Sequence, residues 1–493
     1  MQTRAGSKER IDNMERISAA QIKEATGGIL IGNVNPEETF VTGVSTDSRK
    51  IQSGDLFVAI KGERFDGNEY AQATLMSGAA GCLVSRDPGE IPEGKFAVLV
   101  EDTAMAMGAL AAFYLRTLPP KVVAVTGSVG KTTTKDMIAS VLSEHFRTHK
   151  TQGNLNNHLG LPMTIFGMDS TIEAAVLEMG MNHPGEIDHL TRIAQPDIAV
   201  ITNVGDAHIG NLGSRENIMK AKCEIFHGLK KGGTAVLCGD DALLGALRSE
   251  PVQPVPAELA PLREEILGGG FTFHWAGESE QCDYRAEEID DTLPDRVLCN
   301  AVTPGGTFAL QIPSPGRHMI YAAMTAAAIG QTLGMDNREI AAGVAGFTAT
   351  RMRMETLQLA GNVTLYNDTY NANPQSMMAA LRILANAGTG RKVAVLGDML
   401  ELEPYAERLH REVGEFAASL PVDTLVTVGP RAAYIAEAAL AADMEDVRPC
   451  ADKEEAKREL DVLTGPDTAI LFKASRGMAL EDLCAYSRAL IEN

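Results

Sequence analysis

The sequence has no paired-cysteine pattern. Its seven cysteines (Cys82, Cys223, Cys238, Cys282, Cys299, Cys450 and Cys484) are odd in number, widely scattered and nowhere in CxxC spacing. That excludes a disulfide framework and a zinc ribbon, and it points to a reducing cytoplasm. No stretch approaches the ~20 consecutive apolar residues of a membrane span, and the polar opening at residues 1–13 has no apolar signal-peptide core. A cytoplasmic protein without membrane insertion is expected, with residues 1–13 read as an alternative start or a disordered extension ahead of Met14. Basic charge is also scarce. The 44 Lys and Arg are outnumbered by 65 Asp and Glu, for a formal net charge of -21, which would repel a phosphate backbone and excludes general nucleic-acid binding. Neither a heptad pattern nor an internal repeat of roughly 20–50 residues is present, so a monomer with no solenoid architecture is expected.

What is present is a globular composition, 45% hydrophobic and 22% charged, over 493 residues. A chain of that length outgrows one core and divides into about three domains. Pro119-Pro120 cannot continue a helix and marks the first boundary. Before it, in 1–119, short strands such as Asp55 to Ile60 mix with Ala/Gly-rich helical pieces such as Tyr70 to Ala80. From 120 to 348, β-branched runs (VVAVT, AAVLEM, DIAVIT, TAVLC) alternate with helices, including one expected over Thr132 to Phe146. Residues 251–315 are richer in Pro, Gly and charge, with strand-like pieces FTFHW and TFALQI, and an Ala-rich helix is expected over Arg317 to Leu333. The alternation resumes in 349–493. The fold class is therefore α/β with three domains: a small α/β domain, a central mostly parallel sheet and a C-terminal Rossmann-like domain.

Chemistry concentrates first in Thr126-Gly127-Ser128-Val129-Gly130-Lys131-Thr132-Thr133, between strand VVAVT and a helix. A phosphate needs converging backbone N–H groups at a helix N-terminus, and glycines let the chain turn close enough to provide them. Lys131 can neutralise phosphate charge, and the Thr132 hydroxyl can hold magnesium. The first glycine of the full phosphate-loop pattern is replaced by Val125, so only GxxGKT matches. Glu178 ends strand AAVLE, His208 lies beyond strand DIAVIT and Lys222 sits in the next helix. Singly these read as a loop charge, a structural histidine and an exposed helical lysine. Together they fall on one rim of one sheet, where ligands of open α/β sheets collect.

These segments, with TQGNLNNHLGLP, LEMGMNHPGEI, ITNVGDAHIGNLGS, KAKCEIF, RMRME, NDTYNANPQSM, VLGDMLELE and FKASRGM in that order, resemble the Mur ligase family over nearly the whole chain. NDTYNANP is the most discriminating among them. The resemblance implies a cytoplasmic ATP-dependent carbon–nitrogen ligase that joins D-alanyl-D-alanine to UDP-N-acetylmuramoyl-tripeptide through an acyl phosphate. The first domain would bind the UDP-substrate, the central one ATP. Alternatives within the superfamily are the third-amino-acid ligase and folylpolyglutamate synthase; outside it, a P-loop ATPase switch.

By resemblance, Thr126, Gly127, Ser128, Gly130, Lys131, Thr132 and Thr133 surround the ATP phosphates, with Arg353 and Asp368 reaching ATP from the third domain. Lys131, Glu178, His208 and Lys222 would be catalytic. Thr132, Glu178, His208 and Lys222, the last as a carbamate, would hold two magnesium ions. Thr46, Asp47, Ser48 and Arg49 would contact the UDP-sugar, and Asn154, Asn156 and Asn157 would face the substrate. Asn371, Asn373 and Pro374 would receive the dipeptide, with Lys473, Ser475 and Arg476 near its carboxylate. The third residue of the tripeptide, lysine or diaminopimelate, stays open. One departure stands out. Where the family pattern reads GxHNxxNxxAA, this chain has apolar Met319 and Ala322 at both asparagine positions, so neighbouring backbone groups are expected to take over adenine recognition.

Overall fold

Alternating strands and helices build three large sheets in the structure, a computed structural model that describes residues 14–492. The extension expected at 1–13 lies outside the described residues. The first sheet has the strand order Ile29–Ile31, Phe96–Leu99, Gly81–Val84, Asp55–Val58, Gly43–Ser45, and only its first pair is antiparallel.

The second sheet carries nine strands. Seven run parallel in the order Tyr284–Asp290, Thr272–Gly277, Thr234–Cys238, Ile198–Ile201, Lys121–Thr126, Ala174–Glu178, Thr148–Lys150. An antiparallel hairpin, Val297–Thr303 and Gly306–Ile312, extends its far edge. The Pro/Gly-rich region thus belongs to the central sheet, including the strands Tyr284–Asp290 and Val297–Thr303, which the sequence reading passed over. The strand Lys121–Thr126 lies third from one edge, between Ile198–Ile201 and Ala174–Glu178, and its β-branched run is buried throughout after Lys121. A strand covered on both faces by helices has this near-continuous apolar character.

The third sheet has the order Glu355–Leu359, Val363–Asp368, Thr468–Lys473, Arg391–Gly397, Thr424–Val428, Val447–Cys450, again parallel except for the first pair. Two helix limits differ from expectation. The helix after the phosphate loop is Lys131–Leu142, and 143–146 continue only as a turn. The Ala-rich helix is Met319–Thr332, because Arg317 and His318 form a tight turn closed by Met319 N on Gly316 O (3.0 Å) before the helix begins.

Both parallel sheets point the carboxyl ends of their strands at one cleft. Thr126 and Glu178 end strands of the central sheet, while Asp368 and Lys473 end neighbouring strands of the third. The two segments meet closely: a Cβ at Gly205 would lie 2.0 Å from Gln375 Oε1.

Candidate active site

The phosphate loop is shaped by its glycines and pinned from outside. Gly127 has φ 151°, and a Cβ there would lie 1.8 Å from Thr202 Oγ1, so no side chain fits. Gly130, at φ 82°, caps the helix Lys131–Leu142 in the left-handed region. Thr202 Oγ1 donates to Val129 O (2.6 Å), and Asn203 accepts from Val129 N (2.9 Å) and donates to Val129 O (3.0 Å). Ser128 Oγ accepts from Gly205 N at 2.9 Å. Thr126 Oγ1 donates to Met179 O (2.9 Å), fastening the strand end to its neighbour. The helix therefore starts at a fixed place with its first-turn N–H groups free to meet an anion.

Lys131 curls over this loop, with Nζ donating to Gly127 O (2.7 Å) and Ser128 O (3.3 Å). Burial lowers its pKa, the charge of Glu178 pulls the other way, and the Arg353 guanidinium adds to the fall. Charges from two sheets thus converge on one ammonium. Glu178 receives a hydrogen bond from Asn156 Nδ2 at Oε1 (2.8 Å), while its Oε2 is buried with no partner among the described residues. An orphaned, buried carboxylate oxygen is costly unless a cation meets it.

Lys222 is 1% exposed, and among the described residues its Nζ has no hydrogen-bond or ion-pair partner. Burial and then the charge of Lys131 hold its pKa well below the ordinary ammonium range. His208, in the left-handed region at φ 64°, brings Nδ1 to 3.2 Å from Glu401 Oε2 of the third sheet's region, outside hydrogen-bonding alignment. Burial, then Lys131 and Lys222, push its pKa down to about 4, leaving a neutral ring. Among the described residues no three His, Cys, Asp or Glu side chains cluster as metal ligands. A cation beside Glu178 would therefore draw donors of other kinds, including the buried Thr132 hydroxyl.

The cleft, of about 520 Å³, is lined from below by Ser128 to Thr134 and from above by Arg353, Asp368, Asn371, Asn373 and Lys473. Arg353 is flanked by Met352 and Met354, both at positive φ (60° and 51°), a costly backbone that recurs where a side chain must be aimed. Its guanidinium lies 4.1 Å from the Tyr370 ring centroid, and its Nε is buried without a partner among the described residues. Asp368 accepts from Met354 N (3.1 Å) and pairs with Lys473. At the other end Met319 and Ala322 form an apolar floor with Phe347 and Ala349, beside Tyr321 and Asp240.

Several substrate candidates have engaged side chains. Lys473 is buried and bonded to Asp368 and to Asn371 O (3.0 Å), so it braces the cleft wall instead of presenting a free cation. Ser475 Oγ accepts from Leu400 N (2.9 Å), and Arg476, half-exposed, pairs with Glu481. Asn157 Oδ1 accepts from Leu159 N and Gly160 N, while Asn373 caps the helix Pro374–Ala385, in which Pro374 is the first residue. Asn154 is exposed. Thr46, Asp47, Ser48 and Arg49 lie beyond the first sheet's edge strand, away from the cleft lining. There Asp47 caps the turn Ser48–Lys50, and hydrogen bonds from Arg49 lower its pKa to about 2. Residues the sequence reading missed include Thr202 and Asn203, which shape the loop, and Asp136 and Thr350, which line the cleft. The strand end ITN was the only local signal for the first two.

A phosphate loop facing a second α/β sheet across a closed cleft defines a P-loop nucleotide-using enzyme. Three family descriptions match the chain: "Mur ligase family, catalytic domain" over 40–115, "Mur ligase middle domain" over 125–330, and "Mur ligase, glutamate ligase domain" over 352–476. The UDP-N-acetylmuramoyl-tripeptide–D-alanyl-D-alanine ligase of Bacillus subtilis (strain 168) is 39% identical over 95% of this chain and 98% of its own length. The crystal structure of MurF from Acinetobacter baumannii superposes with a TM-score of 0.85 at 34% identity, covering 97% of this chain and 100% of that one. MurF ligase from Thermotoga maritima in complex with ADP gives 0.77 at 28% identity, covering 91% and 98%. The chain belongs to the Mur ligase family, and it is an ATP-dependent ligase that forms amide bonds.

Proposed function

We propose that this enzyme joins D-alanyl-D-alanine to the terminal carboxylate of UDP-N-acetylmuramoyl-tripeptide with ATP, making the pentapeptide precursor of peptidoglycan in the cytoplasm. The observation that carries the reading is the phosphate loop with Lys131 sharing one cleft with Arg353, Asp368 and Lys473 of the third region. The substrate identity is supported by the similarity to the Bacillus subtilis ligase over nearly both whole chains. Both sheets facing the cleft come from one chain, which supports a monomer as the working unit.

A free carboxylate resists amines because its leaving group would be oxide. The tripeptide carboxylate attacks the γ-phosphorus of ATP, releasing ADP and giving an acyl phosphate. The dipeptide amine then attacks the carbonyl, and the tetrahedral intermediate collapses to amide and inorganic phosphate. Lys131 and Arg353 would screen the charge of the transferred phosphoryl, and the loop N–H groups would fix its line of approach. Thr132 and the orphaned oxygen of Glu178 would hold magnesium, with His208 available as a neutral nitrogen donor. Bound there, the metal would supply Lewis-acid stabilisation of phosphoryl charge. Lys222 fits that neighbourhood poorly as an ammonium. The lowered pKa favours the amine form that adds carbon dioxide, and a carbamate would make Lys222 an oxygen donor.

Coupled assay of phosphate release with mass detection of product tests the reading. Phosphate release should require the UDP-tripeptide and the dipeptide together and should match pentapeptide formed one for one. ATP hydrolysis indifferent to both substrates would make the chain a P-loop switch instead.

A further inference from the structure

Asp136 lies in the first turns of the helix that Lys131 opens, yet the mechanism above leaves it unused. Its carboxylate is 3% exposed and meets three groups. Oδ1 accepts from Lys150 Nζ at 2.7 Å and lies 3.1 Å from Lys135 Nζ. Oδ2 accepts from Thr350 Oγ1, across 214 residues of sequence. A charge-assisted hydrogen bond from a hydroxyl to a buried, doubly paired carboxylate is short and directional. Burial raises the Asp136 pKa, but Lys135 and the bonds from Lys150 and Thr350 outweigh it, so the acceptor stays ionised.

Each end of this bond leads to reacting groups. Lys135 Nζ donates to Thr151 O (2.8 Å), and Thr151 Oγ1 accepts from the backbone N–H of Glu178 (2.9 Å). On the other side, Thr350 O accepts from Arg353 N (3.1 Å), between the left-handed Met352 and Met354 that aim the guanidinium. Resting on the reading proposed above, we infer that Asp136 and Thr350 are positioning residues. Their bond holds the segment entering the third sheet against the phosphate-loop helix, so that Arg353 reaches the transferred phosphoryl in the same geometry that sets Lys131 and Glu178.

Thr350→Val removes the donor while keeping the shape, and Thr350→Ser keeps the donor. With the full-length enzyme, Thr350→Val should lower kcat by at least ~10-fold with the KM for UDP-tripeptide unchanged, since a displacement near 1 Å suffices for such losses. Thr350→Ser should restore most of it. In an Arg353→Ala background, Thr350→Val should change kcat less than twofold, because the tether acts through that arginine. Full activity of Thr350→Val would overturn the inference, and so would losses that multiply in the double variant. Wild-type enzyme making no pentapeptide would instead refute the reading on which the inference rests. A melting temperature for each variant separates mere unfolding: a stably folded Thr350→Val with wild-type kcat counts against the tether.

Discussion

At its phosphate end the cleft is built from backbone, whereas at its far end it is built from side chains arriving from separate segments. The turn through Gly127 and Gly130 and the helix start at Lys131 form one short stretch held by Thr202 and Asn203. Met319 and Ala322 on one helix, Phe347 beyond the next and Asp240 after a strand assemble the other end. The contrast follows from the ligand chemistry. Phosphate charge needs several N–H groups aimed at one point, and few local conformations supply them. A flat ring can be held by many combinations of apolar area and stray polar atoms, so apolar Met319 and Ala322 would not bar a base from that end.

The largest break in this comparison should come from Lys131→Ala, which removes a charge acting on the phosphates. Pentapeptide formation should fall by at least roughly 10³-fold with the melting temperature little changed. Gly127→Ala should come next, because the added methyl would meet Thr202 Oγ1 on a backbone at φ 151°. Calorimetric titration with ADP should show affinity reduced by at least ~10-fold, the equivalent of strain of about 1–3 kcal/mol. Retained affinity would mean the loop is less rigid than described. The smallest effect is expected of Ala322→Asn, which offers one new side-chain amide at the far end. One hydrogen bond contributes about 1 kcal/mol, so the KM for ATP should shift less than ~10-fold and ATP should remain preferred to GTP. GTP serving the unaltered enzyme equally well would sink the expectation that neighbouring groups read the base.

Legibility in the sequence followed the same division. The phosphate loop, its strand and its helix could be read because their residue types lie side by side, and Glu178 followed from its place at a strand end. The strand Val297–Thr303 was passed over although its burial alternates along the chain, because Pro- and Gly-rich surroundings masked a short period-two signal. The bond between Asp136 and Thr350 had no local signal at all: it exists only once two domains fold against each other. Lys473 and Asn157 carry the residue types of substrate contacts, and the fold in addition sets Lys473 against Asp368 and Asn157 Oδ1 at a helix start, which the sequence does not announce. Residue type announces capacity; only the neighbours decide use.

Gly205 gives the packing of the two sheets a built-in gauge. Its space is filled by Gln375 from the opposing region, and its φ is not in the left-handed range. An added methyl would therefore meet only the amide end of Gln375, which would have to swing aside. The same glycine donates its N–H to Ser128 Oγ, so one residue without a side chain joins the phosphate loop to the packing of the two regions.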